Sequence, residues 1–145
     1  MSHRSYWYIP GRILLVEYSG VVTIDDLRAS LDTMRQLGKT EAKPPYLHII
    51  GDSSPRTTLD KSLFSLKSLA AVTDLQEDKS MFGWTIHVDP SPNTTINFLL
   101  NSVAQIIKSR FRTFPAMESC LSFLNEMDAT LPPLSVSDLN QIAPS

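Results

Sequence analysis

A carboxylate and a run of hydroxyls crowd the stretch HIIGDSSPRTTLDKS, residues 48–62. Ser53, Ser54, Thr57 and Thr58 are residue types that accept a phosphoryl group, and a helix N-terminus beside them would stabilise its charge. Asp52 stands next to them as a carboxylate that a general base would require, but no nucleophile is spaced to pair with it. The same residues are what a chain needs to leave a buried strand, turn and cap a helix. Capping and turn formation are therefore the first reading of Ser53 and Thr57, and phosphorylation is the competing one. Two histidines, His48 and His87, lie inside apolar segments, with Asp52 and Asp89 downstream of them. Imidazole suits proton transfer and metal binding near neutral pH. Strand spacing argues against both, because it places His48 about 13 Å from Asp52 and His87 about 7 Å from Asp89. Each histidine is expected to bond a backbone or hydroxyl group instead, and neither a metal nor another cofactor is expected.

Three further constellations carry less. KSRFRTF, residues 108–114, interleaves cations and aromatics as nucleic-acid surfaces do, but the patch is small and sits at an expected helix end. Cys120 lies within a helical pattern between Ser119 and Leu121, which predicts a buried thiol rather than a nucleophile. DPSPNTT, residues 89–95, offers helix caps but no glycines for a phosphate cradle. No P-loop, dinucleotide-binding glycine fingerprint, Gly-x-Ser-x-Gly elbow or His-Glu-x-x-His occurs. The chain is expected to be no enzyme.

The elements that must position these residues alternate. Tyr6 to Ile9 and Arg12 to Tyr18 read as strands of a hairpin turned at Pro10-Gly11. Thr23, followed by Asp26, predicts a capped helix with Ile24, Leu27, Leu31 and Met34 on one face, ending before Gly38. YLHIIGDSS reads as a strand buried on both faces. Thr57 and Asp60 repeat the capping spacing, so a second helix is expected there, with Leu59, Leu63, Leu66 and Ala70 along its stripe. MFGWTIHVD is a strand weakened at Gly83. A third helix is expected from Thr94 to Arg110, then a short RTF strand, then a helix opened by Pro115 with Met117, Leu121, Leu124 and Met127 inward. The tail, residues 130–145, has scattered apolar residues and is expected to be loose or docked on the surface. This order predicts an α/β domain with a mixed, mostly parallel central sheet of about five strands, an N-terminal β-hairpin and four helices. Right-handed crossovers then bring Asp52 and Asp89 to one edge of the sheet, where open α/β sheets bind ligands.

Composition agrees with one domain of that kind. The chain has 145 residues, 42% hydrophobic and 19% charged, with a formal net charge of -2. That charge exerts no pull toward nucleic acid or an anionic membrane. A single cysteine excludes an internal disulfide and fits a reducing compartment. MSHRSYWYIPGR lacks a secretory apolar core, and the apolar stretch Ile96 to Ile107 is too short to span a bilayer, so a cytoplasmic protein is expected.

The element order, the opening hairpin, the short RTF strand and the closing helix FPAMESCLSFLNEM resemble the anti-sigma-factor antagonist (STAS) domains and their small stand-alone STAS-like relatives, over roughly residues 5–128. The resemblance implies a regulatory or protein-interaction module in which a serine near the start of the helix after the third strand is phosphorylated. Asp52-Ser53-Ser54 resembles the family's Asp-Ser-Ser-Gly type motif, with Pro55 where the glycine would stand and a position early for the helix start; Thr57, Thr58 and Ser62 occupy the later one. A protein partner or a second copy, as a homodimer, is therefore expected to dock through the sheet edge and adjacent helix faces, with the aromatic hairpin Tyr6-Trp7-Tyr8 and the apolar face of the third helix as candidate contact surfaces. The alternative is a small apolar ligand or lipid held at the Asp52/Asp89 edge.

Overall fold

The computed structural model describes residues 3–43, 45–53, 58–59, 82–89 and 110–142. Strands β1 (His3–Ile9) and β2 (Ile13–Tyr18) pair antiparallel, and the turn between them closes through the Arg12 N–H to the Ile9 carbonyl at 2.9 Å. Gly11 takes a φ of 78°, and a Cβ there would meet the Glu41 carbonyl at 2.7 Å, so both conformation and space require glycine. After Gly20 come β3 (Val21–Val22) and helix α1 (Ile24–Thr40). The expected capping box is present, the Thr23 hydroxyl accepting from the Asp26 N–H and the Asp26 carboxylate accepting from the Thr23 N–H. The helix does not stop at Gly38. It runs on to Thr40 because the Glu41 N–H closes the last turn on the Leu37 carbonyl, and Gly38 never uses a left-handed conformation.

The main sheet has five strands in the order β1, β2, β4 (Leu47–Ser53), β6 (Phe82–Val88) and β7 (Arg110–Phe114), all parallel after the first pair. The expected α/β class, mixed sheet and hairpin are thus observed. A second, two-stranded parallel sheet pairs β3 with β5 (Thr58–Leu59). This corrects the expected helix start at Thr57. Thr58 and Leu59 are extended, because parallel pairing of the two chain segments resumes as β3/β5 three residues beyond Tyr18 on one side and five beyond Ser53 on the other. The rest of that expected helix and residues 94–109 of the third lie outside the described residues. Arg110, expected to end the third helix, opens β7 instead.

Alternation along the strands makes two layers. Leu14, Val16, Leu47 and Ile49 face Met34 and Leu37 of α1. Ile13, Leu15, Ile50, Ile86 and Val88 face helix α2 (Met117–Met127), which inserts Cys120, Leu121 and Leu124. Met127, expected inward, is 53% exposed at the last turn, while Phe123 is buried in its place. That helix was expected, but the third described one, α3 (Val136–Ile142), lies in the tail. The tail docks: Leu131 and Leu139 are buried in the α2 layer, and Asn125 bonds both the Pro132 carbonyl and the Leu134 N–H. Tyr8 fastens it, its hydroxyl donating to the Ser135 carbonyl at 3.0 Å and accepting from the Ser135 N–H at 2.9 Å. Tyr8→Phe removes both bonds, with an expected loss of about 1–2 kcal/mol. Hydrogen exchange will read it as lost protection over residues 131–142 while β2 and β4 stay protected.

Candidate functional site

Two polar clusters sit at opposite ends of the parallel strands, on the face covered by α2. At the C-terminal end, register pairs Glu17 of β2 with Asp52 of β4, one strand spacing apart, about 4.8 Å. Burial raises the Asp52 carboxyl above its ordinary value, and the Glu17 charge raises it further. Burial pushes Glu17 upward too, but hydrogen bonds from Arg4 and from the Tyr6 hydroxyl, the latter at 2.7 Å, outweigh it and hold Glu17 below its ordinary value. One carboxyl inclined to keep its proton thus lies beside one inclined to lose it, the pattern that acid–base sites exploit. On the same face, burial pushes the Cys120 thiol up to about 12, with the Asp52 charge adding to it, so this buried cysteine is no nucleophile near neutral pH.

Asp89 does not join this pair. It follows Val88, the register partner of Asp52, and alternation turns it to the opposite face; its N–H extends the ladder to the Phe114 carbonyl at 3.0 Å. Ser53 ends β4 beside Tyr18, and Thr58 lies in β5 beside Val21. Ser54 and Thr57 lie outside the described residues. The strand order also bears on this edge. In open α/β sheets a ligand crevice opens where the strand order reverses, and among the described strands β2, β4, β6 and β7 follow one another in sequence.

At the N-terminal end, His48 meets a carboxylate after all, but a distant one. Its Nε2 lies 2.8 Å from Oδ2 of Asp128, the residue capping α2, and Arg12 reaches the same oxygen at 2.7 Å. Arg12 also donates to the Tyr46 carbonyl and to the Thr130 hydroxyl. The Thr130 N–H and hydroxyl close on the other Asp128 oxygen. The remaining imidazole nitrogen, Nδ1, accepts the Trp84 N–H at 3.0 Å. That N–H has no other role to play in the ladder, because the β4/β6 register shifts between Leu47 and Ile49 and sets Gly83 and Trp84 opposite His48. An amide can only donate, so Nδ1 carries the lone pair and Nε2 carries the proton that Asp128 accepts.

This has half the shape of a catalytic triad and the opposite consequence. In a working dyad the second ring nitrogen faces a nucleophile, whereas here it is committed to a backbone amide within a site where His48 is 2% exposed. Burial lowers the His48 pKa, the hydrogen bond to Asp128 and its charge oppose that without overcoming it, and the Arg12 and Arg110 charges add to the lowering. The ring is held neutral. Burial would raise Asp128, but the bonds from Thr130 and His48 and the charge of Arg12 bring it down to about 2. Among the described residues no group of three metal-ligating side chains forms. The cluster's chemistry is cohesion: it ties the hairpin turn, β4, β6 and the end of α2 into one joint.

Sequence reasoning anticipated a backbone partner for His48 but missed Arg12, Asp128, Thr130 and Glu17. Glu17 was within reach, since Ile13, Leu15 and Glu17 alternate onto one face; its pairing with Asp52 needed the register. Comparison of the chain with protein-family models, with curated proteins and with solved structures gives no match.

Proposed function

We propose that the chain is a non-catalytic regulatory or protein-interaction module of the STAS-like type, acting in the cytoplasm. The observation that carries this reading is the closure of the His48 cluster: the His48–Asp128 pair, which has half the shape of a triad, spends its polar side-chain atoms on the fold itself. The five-stranded sheet, with its antiparallel edge hairpin and strands in sequential order, is in keeping with the element order that the resemblance implies. No helix among the described residues is long and apolar enough to cross a membrane. The partner is a second protein or a second copy of this chain. A phospho-switch at Ser53, Ser54, Thr57, Thr58 or Ser62 belongs to the same reading, with Thr58 standing in strand β5.

The Asp52/Glu17 pair supports a second reading, a small apolar ligand at the C-terminal edge that hydrogen-bonds the Asp52 carboxyl, which burial and the Glu17 charge incline to keep its proton. One experiment separates the two. A native mass spectrum of the protein purified from its own host, alongside affinity capture from that host, is expected to give bare protein and one specific partner. A co-purified small molecule without a partner would replace the first reading by the second. Intact mass in the same spectra reports phosphate, and its absence under several growth conditions would remove the switch.

A further inference from the structure

We propose that the outer edge of β7 is a docking strand for an acidic, extended peptide segment of the protein partner; this deepens the interaction reading above and rests on it. Among the described residues β7 is a terminal strand of the five-stranded sheet. The Phe114 carbonyl accepts from Asp89 on the β6 side, so strand alternation turns the backbone groups of Arg110 and Arg112 toward β6 as well, and those of Phe111 and Thr113 outward. An added strand would pair with that outward row.

Two exposed guanidinium groups flank the row. Arg110 and Arg112 alternate onto the α2 face, about 7 Å apart. Neither pairs with a carboxylate among the described residues, in contrast to Arg4 and Arg12. Both are held in place by rings. Arg112 lies 5.3 Å from the Phe114 centroid and 4.9 Å from that of Phe123, and Arg110 lies 5.8 Å from that of Tyr46. Phe123 is itself fixed edge-on to Trp84 at 4.8 Å. Stacking of this kind orders a guanidinium while leaving its N–H fork open, which lowers the entropy lost when a carboxylate binds. Charges two residues apart on a strand match acidic side chains two apart on an added one. A second copy of β7 is a poor occupant, because antiparallel pairing of the two edges would set arginine against arginine.

The test measures anisotropy of a labelled peptide of about ten residues alternating glutamate and valine against the full chain. Binding is expected, and Arg110→Glu/Arg112→Glu is expected to weaken it about 30-fold or more, as is N-methylation of alternate peptide amides, which blocks strand pairing and leaves the charges intact. Oligothymidylate of equal charge is expected to bind more weakly than the peptide. Unchanged affinity after charge reversal, equal binding of the N-methylated peptide, or tighter binding of oligothymidylate would each overturn the proposal. Capture from the host separates the two levels: a partner retained equally by wild type and the charge-reversed chain removes the β7 edge and leaves the interaction reading standing.

Discussion

Asp128→Asn is expected to lower stability by about 2–4 kcal/mol and the melting temperature by roughly 10 °C, the larger part of it from groups the mutation leaves behind. Asp128 accepts from Arg12, His48 and Thr130, and the Arg12 and Asp128 side chains are 11% and 8% exposed. Asparagine is nearly isosteric but offers one acceptor oxygen and an amide that donates. With its amide nitrogen at the Oδ2 position both the Arg12 guanidinium and the His48 Nε2–H face a donor, with it at the Oδ1 position the Thr130 N–H does, and either way Arg12 loses its counter-charge in a site where water replaces it poorly. Urea unfolding read by tryptophan fluorescence and by circular dichroism measures the loss. A cost below about 0.5 kcal/mol, ordinary for a surface pair, would mean the cluster is solvated in solution.

The same cluster sets an acid limit on the fold, and its two titrating groups act in the same direction. Asp128 is lowered from 3.8 to about 2, so its stabilisation is present above its ordinary value and is lost as pH falls toward about 2. His48 is lowered from 6.5, so the unfolded chain takes up the proton first and stability falls as pH drops below 6.5 toward the folded value. Wild type is therefore expected to weaken in two stages on acidification. Asp128→Asn abolishes the lower stage, and its stability curve below about pH 4 runs flatter than that of wild type.

The legible part of this fold was the part specified within a few residues. The hairpin at Pro10-Gly11 and the capping box at Thr23 need only local chemistry, and both are observed. Helix α1 is extended past Gly38 by a backbone bond from Glu41, which no residue type announces. Thr57-x-x-Asp60 has the capping spacing, yet Thr58 and Leu59 are claimed by pairing with Val21 and Val22, a contact decided by how two chain segments leave the main sheet. The candidate sites follow the same division. Asp52 was placed correctly at the edge of β4, but the carboxylate beside it comes from β2, and the partner of His48 comes from a residue 80 positions away. Pairings of that kind depend on register and on the course of the whole chain, so types and spacing mark the participants without joining them.

Gly83→Ala is the second large effect expected, and it tests whether His48 is the reason for the glycine. In a strand, alanine ordinarily improves on glycine by about 0.4–1 kcal/mol because it restricts the unfolded chain. Here the added Cβ would lie 2.5 Å from Cε1 and from Nδ1 of His48 and 3.1 Å from Cβ of Tyr46. A flexible side chain would swing away, but this imidazole is bonded at both nitrogens, so yielding to the methyl breaks the Trp84 bond, the Asp128 bond or both. A net loss of about 2–4 kcal/mol is expected, from overpacking together with one or two forfeited hydrogen bonds. His48→Ala alone is expected to cost a similar amount, since it leaves the Trp84 N–H and the Asp128 carboxylate short of a partner. With the imidazole gone, however, the two closest approaches are removed and the next is Cβ of Tyr46 at 3.1 Å. Gly83→Ala in the His48→Ala background should then cost under about 1 kcal/mol, a coupling between the two sites of roughly 1–3 kcal/mol. Additive losses would mean that Gly83 serves the backbone of the β6 bulge rather than the ring above it.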